Sequence, residues 1–186
     1  RSFLTDSLGI EYAGNWEALW RLSGGYMMLF MSTLSVYFLP RYSELKNIFL
    51  IKKELLSGYI LLLPAFMLVC SLIYVFIDPI TRLLFTDDFG LIKEPLLFQL
   101  LGDIFKVSSW LISYLMFSKG MVKTFVVLEV TFALSFCVFT TIFVDIFGFS
   151  GVAIAHLCNY VIYLLVVYLC VYRKLETLEG HYFEKV

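Results

Sequence analysis

The chain has 186 residues, of which 61% are hydrophobic and only 16% charged, and its formal net charge is −1. Soluble domains are about 45–50% apolar and about 25% charged, so this composition excludes an ordinary soluble domain and predicts a membrane protein. A nucleic-acid partner is also excluded, because such a partner requires a basic patch and the sequence has none.

Five segments are long and apolar enough to span a bilayer, which takes about 20 residues in a helix. We therefore predict an all-α, polytopic transmembrane helix bundle, with residues 1–186 forming a single transmembrane domain fragment. The predicted spans are 16–45, 55–84, 95–118, 124–145 and 149–173.

The first span has a helix-start pattern. Asn15 is a candidate N-cap, and Glu17 would lie in the first turn, where the helix dipole favours an anion. The helix is thus expected to begin near Trp16 and to pass Pro40 as a kink. Pro64 in the second span is expected to be tolerated in the same way, because transmembrane helices accommodate proline.

Basic residues in the short loops predict the orientation. Most of them follow spans one, three and five, which places these loops and the C-terminus in the cytoplasm. The cytoplasmic set is Arg41, Lys46, Lys52, Lys53, Lys119, Lys123, Arg173, Lys174 and Lys185, against Arg1, Arg21, Arg82 and Lys93 outside. An odd number of spans and a first residue other than Met lead us to expect a piece of a longer protein.

The third span contains two charges, Asp103 and Lys106. A cation in the middle of a span costs on the order of 3 kcal/mol, so a partner is required, and Asp103 is one helical turn away. Helical spacing puts five side chains on one polar face: Gln99, Asp103, Lys106, Trp110 and Ser113. We predict a hydrated cavity in which Lys106 attracts an anion and Asp103 holds Lys106 or takes part in H⁺ or Na⁺ coupling. The alternative is a structural ion pair.

Other polar residues are candidates for the same cavity. Glu129 in span four could be a proton-linked acid, or it could pair with Lys123 or another loop cation at the interface. His156 could carry a proton or could be a hydrogen-bonded packing residue, and it shares a polar face with Asn159, Tyr160 and Tyr163. Arg21 could contact a phosphate at a cavity mouth or serve as an interfacial anchor.

Enzyme and metal signatures are missing from the sequence. It contains no P-loop, GxSxG or HExxH motif, and the four cysteines have no CxxC spacing. We therefore expect neither an enzyme, a bound metal nor an organic cofactor. Cys70, Cys137, Cys158 and Cys170 are expected to be packing residues.

Several stretches resemble the Wzx-type O-antigen and lipid III flippases of the MATE-like MOP superfamily. They are 14–23 (GNWEALWRLS), 35–40 (SVYFLP), 99–106 (QLLGDIFK) and 128–130 (LEV). The resemblance covers helices eight to twelve of that family, so it implies the C-terminal lobe of a two-lobed transporter whose N-terminal lobe is not in this chain.

The resemblance also implies a function. Such proteins flip an undecaprenyl-pyrophosphate-linked oligosaccharide across the bacterial inner membrane by alternating access. The substrate and cavity residues would be Lys106, Asp103, Gln99 and Arg21, and those for ion coupling Glu129, Asp103 and His156. Alternatives are a MATE-like small-molecule exporter, a polyprenyl-linked polysaccharide polymerase or glycosyltransferase, and a structural membrane module.

Overall fold

The chain is helical in the computed structural model, which describes residue 5, residues 9–84 and residues 91–183, with side chains described as far as residue 173. The helices are α1 (Ile10–Thr33), α2 (Leu39–Glu44), α3 (Ile48–Val75), α4 (Ile77–Leu84), α5 (Lys93–Ser118), α6 (Val122–Phe147) and α7 (Ser150–Phe183). A π-helical segment, Leu34–Phe38, joins α1 to α2.

Five helices of the described chain are long and apolar enough to cross a membrane. They are Ile10–Glu44, which combines α1, the π-helical segment and α2, followed by α3, α5, α6 and the Ser150–Arg173 part of α7. The predicted all-α polytopic bundle is confirmed.

The second predicted span, 55–84, is two helices in the structure. Helix α3 ends at Val75, Phe76 leaves helical geometry, and the short helix α4 follows. The break has a backbone cause, because Pro79 has no N–H to donate to the Val75 carbonyl one turn earlier. Hydropathy alone did not locate this end.

The predicted start of the first span was wrong. Helix α1 begins at Ile10 after Gly9, and Asn15 lies inside it, where the side-chain amide donates to the Glu11 carbonyl (3.0 Å). An asparagine side chain can cap the start of a helix, but inside a helix it can also hydrogen-bond to the preceding turn. The presence of Asn15 therefore did not show whether it lies at the start of the helix or within it. Consequently Glu17 lies two turns into the helix and not in its first turn.

Pro40 is accommodated by the π-helical segment. The Leu39 N–H donates to the carbonyl of Leu34, five residues back in the chain. A proline ring clashes with the carbonyl four residues earlier, here Val36, and adding one residue to the turn removes that conflict.

Helix α5 lies at the centre of the bundle. In the 18-residue apolar segment of each span, 61% of the residues are buried in α5, whereas none are buried in α6. Helix α5 packs against α7, α3 and the first span, whereas α6 packs mainly against α7 at the periphery. The polar side chains of α5 are therefore enclosed by protein, as charged groups within a bilayer must be.

The four cysteines, all within the described chain, form no disulfide. Cys70 is buried between α1, α3 and α5, in agreement with a packing role. Cys137 is exposed on α6, so the prediction of a packing role was wrong there. The reason is the peripheral position of α6.

Lys119 joins two loops at one end of the bundle. Its ammonium donates to the carbonyls of Tyr42 (2.6 Å) and Leu45 (2.5 Å), at the C-terminal end of α2. These carbonyls have no partner within the helix, and a cation there also complements the helix dipole. Partial burial lowers the pKa of the Lys119 ammonium from its ordinary value.

Replacing Lys119 with Met should therefore destabilise the protein by about 1.5–3 kcal/mol, the range for hydrogen bonds to charged groups. The matched control is Lys123→Met, which removes an exposed ammonium four residues later, at the start of α6. Thermal unfolding in one detergent measures both variants. Equal midpoints for the two would refute the role assigned to Lys119.

Candidate functional site

A cavity of about 590 Å³ lies between α1, α5, α6 and α7. Its wall combines aromatic rings with a few charged and amide groups. The lining residues are Ala13, Trp16, Glu17, Trp20, Gln99, Lys106, Glu129, Phe132, Ala133, Phe136, His156, Asn159, Tyr160 and Tyr163. Four of the predicted site residues, Gln99, Lys106, Glu129 and His156, thus share one cavity.

Asp103 lies behind the cavity wall and is fully buried (0% exposed). Its Oδ2 accepts hydrogen bonds from the hydroxyls of Ser23 (2.6 Å) and Tyr26 (2.5 Å), both on α1. Its Oδ1 lies 2.9 Å from Nε2 of His156 on α7. One carboxylate therefore ties three helices together, and its burial is compensated by several donors.

Gln99 completes this cluster from one turn earlier on α5. Its side-chain amide is within 3.3 Å of Asp103 Oδ1 and 3.4 Å of Ser23 Oγ. Its Oε1 is buried without a partner among the described residues. Gln99 therefore acts mainly as a donor to the Asp103 cluster.

Gly102 allows α5 and α7 to approach closely at this cluster. A Cβ at position 102 would collide with Cδ2 of His156 and lie 3.2 Å from the Cα of Leu157. Close approach of helices through small residues is the usual way in which membrane helices pack. The glycine thus places the His156 ring beside Asp103.

Lys106 does not pair with Asp103, contrary to the sequence prediction. Among the residues that the structure describes, no carboxylate lies within ion-pair distance of the Lys106 ammonium. The ammonium lies 5.2 Å from the ring centre of Trp110 and 5.1 Å from that of Tyr160. Cation–π contacts hold a charge while leaving its N–H donors available. Asp103 was not available for pairing, because donors from α1 and α7 occupy its oxygens.

Glu129 belongs to a second hydrogen-bonded group on the cavity wall. The Tyr163 hydroxyl donates to Glu129, and Ser113 is 3.2 Å from the same hydroxyl oxygen. In the described chain no ion pair joins Glu129 to Lys123 or to another loop cation, so that alternative was wrong. Lys106 lies within electrostatic reach of both Glu129 and Asp103.

Arg21 lies outside the cavity lining. Its side chain is 70% exposed and pairs with Glu17 at 2.6 Å. Glu17 itself lines the cavity, two turns into α1. Arg21 thus reaches the cavity only through its pairing with Glu17.

Sequence reasoning missed Ser23 and Tyr26 as partners of Asp103. The available signal was the spacing of Ser23 and Tyr26, two polar residues three positions apart in an otherwise apolar segment. Which charge this pair would meet depends on how α1 packs against α5. The two aromatic side chains at Trp16 and Trp20 were also missed as cavity residues.

The fold and the enclosed polar cavity define a multi-pass helical membrane protein. In comparisons, the chain is similar to two curated proteins named lipid III flippase, one from Escherichia coli (strain K12) and one from Shigella flexneri. Each is 25% identical over 163 residues, covering 88% of this chain and 39% of the relative. The chain thus spans well under half the length of these relatives. No family model matches the sequence, and no solved structure matches it.

Proposed function

We propose that this chain is part of a transporter that flips a lipid-linked oligosaccharide, carried on undecaprenyl pyrophosphate, across the bacterial inner membrane. The similarity to proteins named lipid III flippase supports the transport class. The observation that carries the proposal is Lys106, a half-buried cation that lines the cavity and has no carboxylate in ion-pair distance among the described residues.

The chemistry of Lys106 suits a pyrophosphate. An ammonium binds phosphate oxygens as a compact charge with three donors. Inside a cavity walled by Trp, Phe and Tyr rings, the attraction is screened less than in water. The aromatic walls also suit the apolar faces of sugar rings, while Glu17 and Asn159 offer polar groups to hydroxyls.

The cavity volume limits what can be held at one time. At about 590 Å³ it is in the range of roughly 300–1,000 Å³ typical of small-molecule sites. That volume suits the pyrophosphate and its nearest sugars, so the rest of the oligosaccharide and the lipid tail would extend beyond it. We propose that a second, N-terminal lobe of the same protein completes the passage, and that the C-terminus is cytoplasmic.

The test is to deplete the gene product in its host and to locate the lipid-linked oligosaccharide. A lectin that cannot cross the membrane is applied to spheroplasts and to inverted vesicles. Accumulation on the cytoplasmic face is expected, together with loss of surface polysaccharide. Normal arrival outside, combined with new sensitivity to cationic drugs, would replace this proposal with a MATE-like exporter.

A further inference from the structure

Two tryptophan rings from α1 form part of the cavity wall. Trp16 and Trp20 are four residues apart, so they lie on the same face of the helix, and both line the cavity. Trp16 is half-buried and packs against two clusters of buried apolar side chains. Trp20 is 63% exposed and packs into none of the apolar clusters of the described chain. One ring is thus fixed by packing, and the other presents a large aromatic surface to the cavity.

The depth of Trp20 is not that of an interfacial anchor. Tryptophan in membrane proteins is enriched where the bilayer meets water. Trp20 lies three residues before Ser23, about 4.5 Å along the helix axis, and the Ser23 hydroxyl donates to Asp103 well inside α5. The Trp20 ring is therefore close to the level of the buried polar cluster. An aromatic surface that lines a cavity at this depth suits a ligand with an apolar face.

A buried amide lines the same cavity from α7. Asn159 is 3% exposed, and its Oδ1 accepts a hydrogen bond from the hydroxyl of Ser135 (2.5 Å). The amide nitrogen, in contrast, has no acceptor among the described residues. A buried donor without an acceptor is costly, so an oxygen atom within the cavity is expected to accept from it. Asn159 therefore offers N–H donors to an occupant of the cavity.

We propose that Trp16, Trp20 and Asn159 form a carbohydrate subsite, which binds one pyranose ring of the transported oligosaccharide. The apolar C–H face of a pyranose buries against an aromatic ring, and its oxygens accept hydrogen bonds from an amide. The three side chains supply both kinds of contact from two helices, α1 and α7. This inference rests on the proposed transport function and adds to it the residues that recognise the sugar.

The subsite lies next to the group proposed to hold the pyrophosphate. Asn159 is followed in the chain by Tyr160, whose ring centre lies 5.1 Å from the Lys106 ammonium. A sugar joined directly to a pyrophosphate at Lys106 is therefore within reach of the Asn159 amide. Consequently a probe with one sugar is large enough to occupy both places, and the same probe without the sugar occupies only the place at Lys106.

The test compares farnesyl pyrophosphate with farnesyl pyrophosphate that carries one N-acetylglucosamine. The Kd of each probe is measured by titration calorimetry on the protein, as its gene encodes it, in lipid nanodiscs, with empty nanodiscs as the blank. The unmodified protein should bind the sugar-bearing probe more tightly. Trp20→Leu should weaken binding of that probe by about 3- to 10-fold and leave farnesyl pyrophosphate unchanged. Trp20→Phe, which keeps a ring, should lose less affinity.

The matched control is Phe49→Leu, which removes a ring that is 73% exposed on α3 and outside the cavity lining. It should change the affinity for neither probe. Asn159→Leu removes the amide, while Ser135 keeps its hydrogen bond to the Phe132 carbonyl (3.1 Å). This variant should bind the sugar-bearing probe about 5-fold more weakly, the effect of losing one neutral hydrogen bond.

The two proposals fail in different ways. Equal affinities of the unmodified protein for both probes would overturn the carbohydrate subsite. The same conclusion would follow if Trp20→Leu weakened both probes by one factor, or left the sugar-bearing probe unaffected. Lys106→Met should weaken both probes alike, because it removes the charge at the pyrophosphate. If Lys106→Met had no effect on either probe, the role of Lys106 in the proposed function would fail, and the carbohydrate subsite would stand.

Discussion

Replacing Lys106 with Ala is expected to reduce flipping by about 10- to 100-fold, which corresponds to losing charged hydrogen bonds of about 1.5–3 kcal/mol. Lys106→Arg should keep part of the activity, because the guanidinium also binds phosphate but must fit beside the Trp110 and Tyr160 rings. The measurement is restoration of surface polysaccharide in a deletion strain, with the variants expressed at matched levels.

The control is Lys53→Ala, which removes an exposed lysine of α3 away from the cavity. It should retain full activity. Lys106 would be excluded from substrate binding if Lys106→Ala restored polysaccharide as well as the unmodified protein. In that case its charge would serve only to stabilise the packing of α5 against α7.

Gly102→Ala should destabilise the fold by about 1–3 kcal/mol, the usual cost of adding a methyl group to a tightly packed position. The new methyl would displace the His156 ring and so break its contact with Asp103. Thermal unfolding in detergent measures this loss of stability.

Gly14→Ala is the matched control within the same bundle. A Cβ at Gly14 meets nothing within 4 Å, so the substitution should be neutral or should stabilise α1 by up to about 1 kcal/mol. If both alanine variants unfolded at the same temperature, the close approach of α5 and α7 at Gly102 would be disproved.

The fold class was predictable because the apolar composition of the chain is sufficient to indicate a transmembrane helix bundle. Apolar runs of about 20 residues have few alternatives to a membrane helix, and five such runs gave five spanning helices. Helix ends were less accessible. Asn15 had two local bonding options, and Pro79 ended α3 inside a run that hydropathy treated as continuous.

The site was predictable as a set of residues but not as a set of pairs. Helical spacing correctly grouped Gln99 and Asp103 on one face of α5, and intramembrane charge singled out Lys106. The partner of each charge depends on which helices pack around α5. The partners of Asp103 are 53 to 80 positions away from it along the chain, so no local sequence pattern could predict them. They are Ser23, Tyr26 and His156.

The π-helical segment makes the first span sensitive to a change of one residue in its length. Deleting a residue from Leu34–Phe38 would convert it to ordinary α-helix, rotate α2 by about 100° and draw it in by about 1.5 Å. Tyr42 would then turn away from its apolar neighbours, and the Tyr42 and Leu45 carbonyls would leave Lys119. A relative that lacks one residue at this position would therefore pack a different face of α2 against the rest of the bundle.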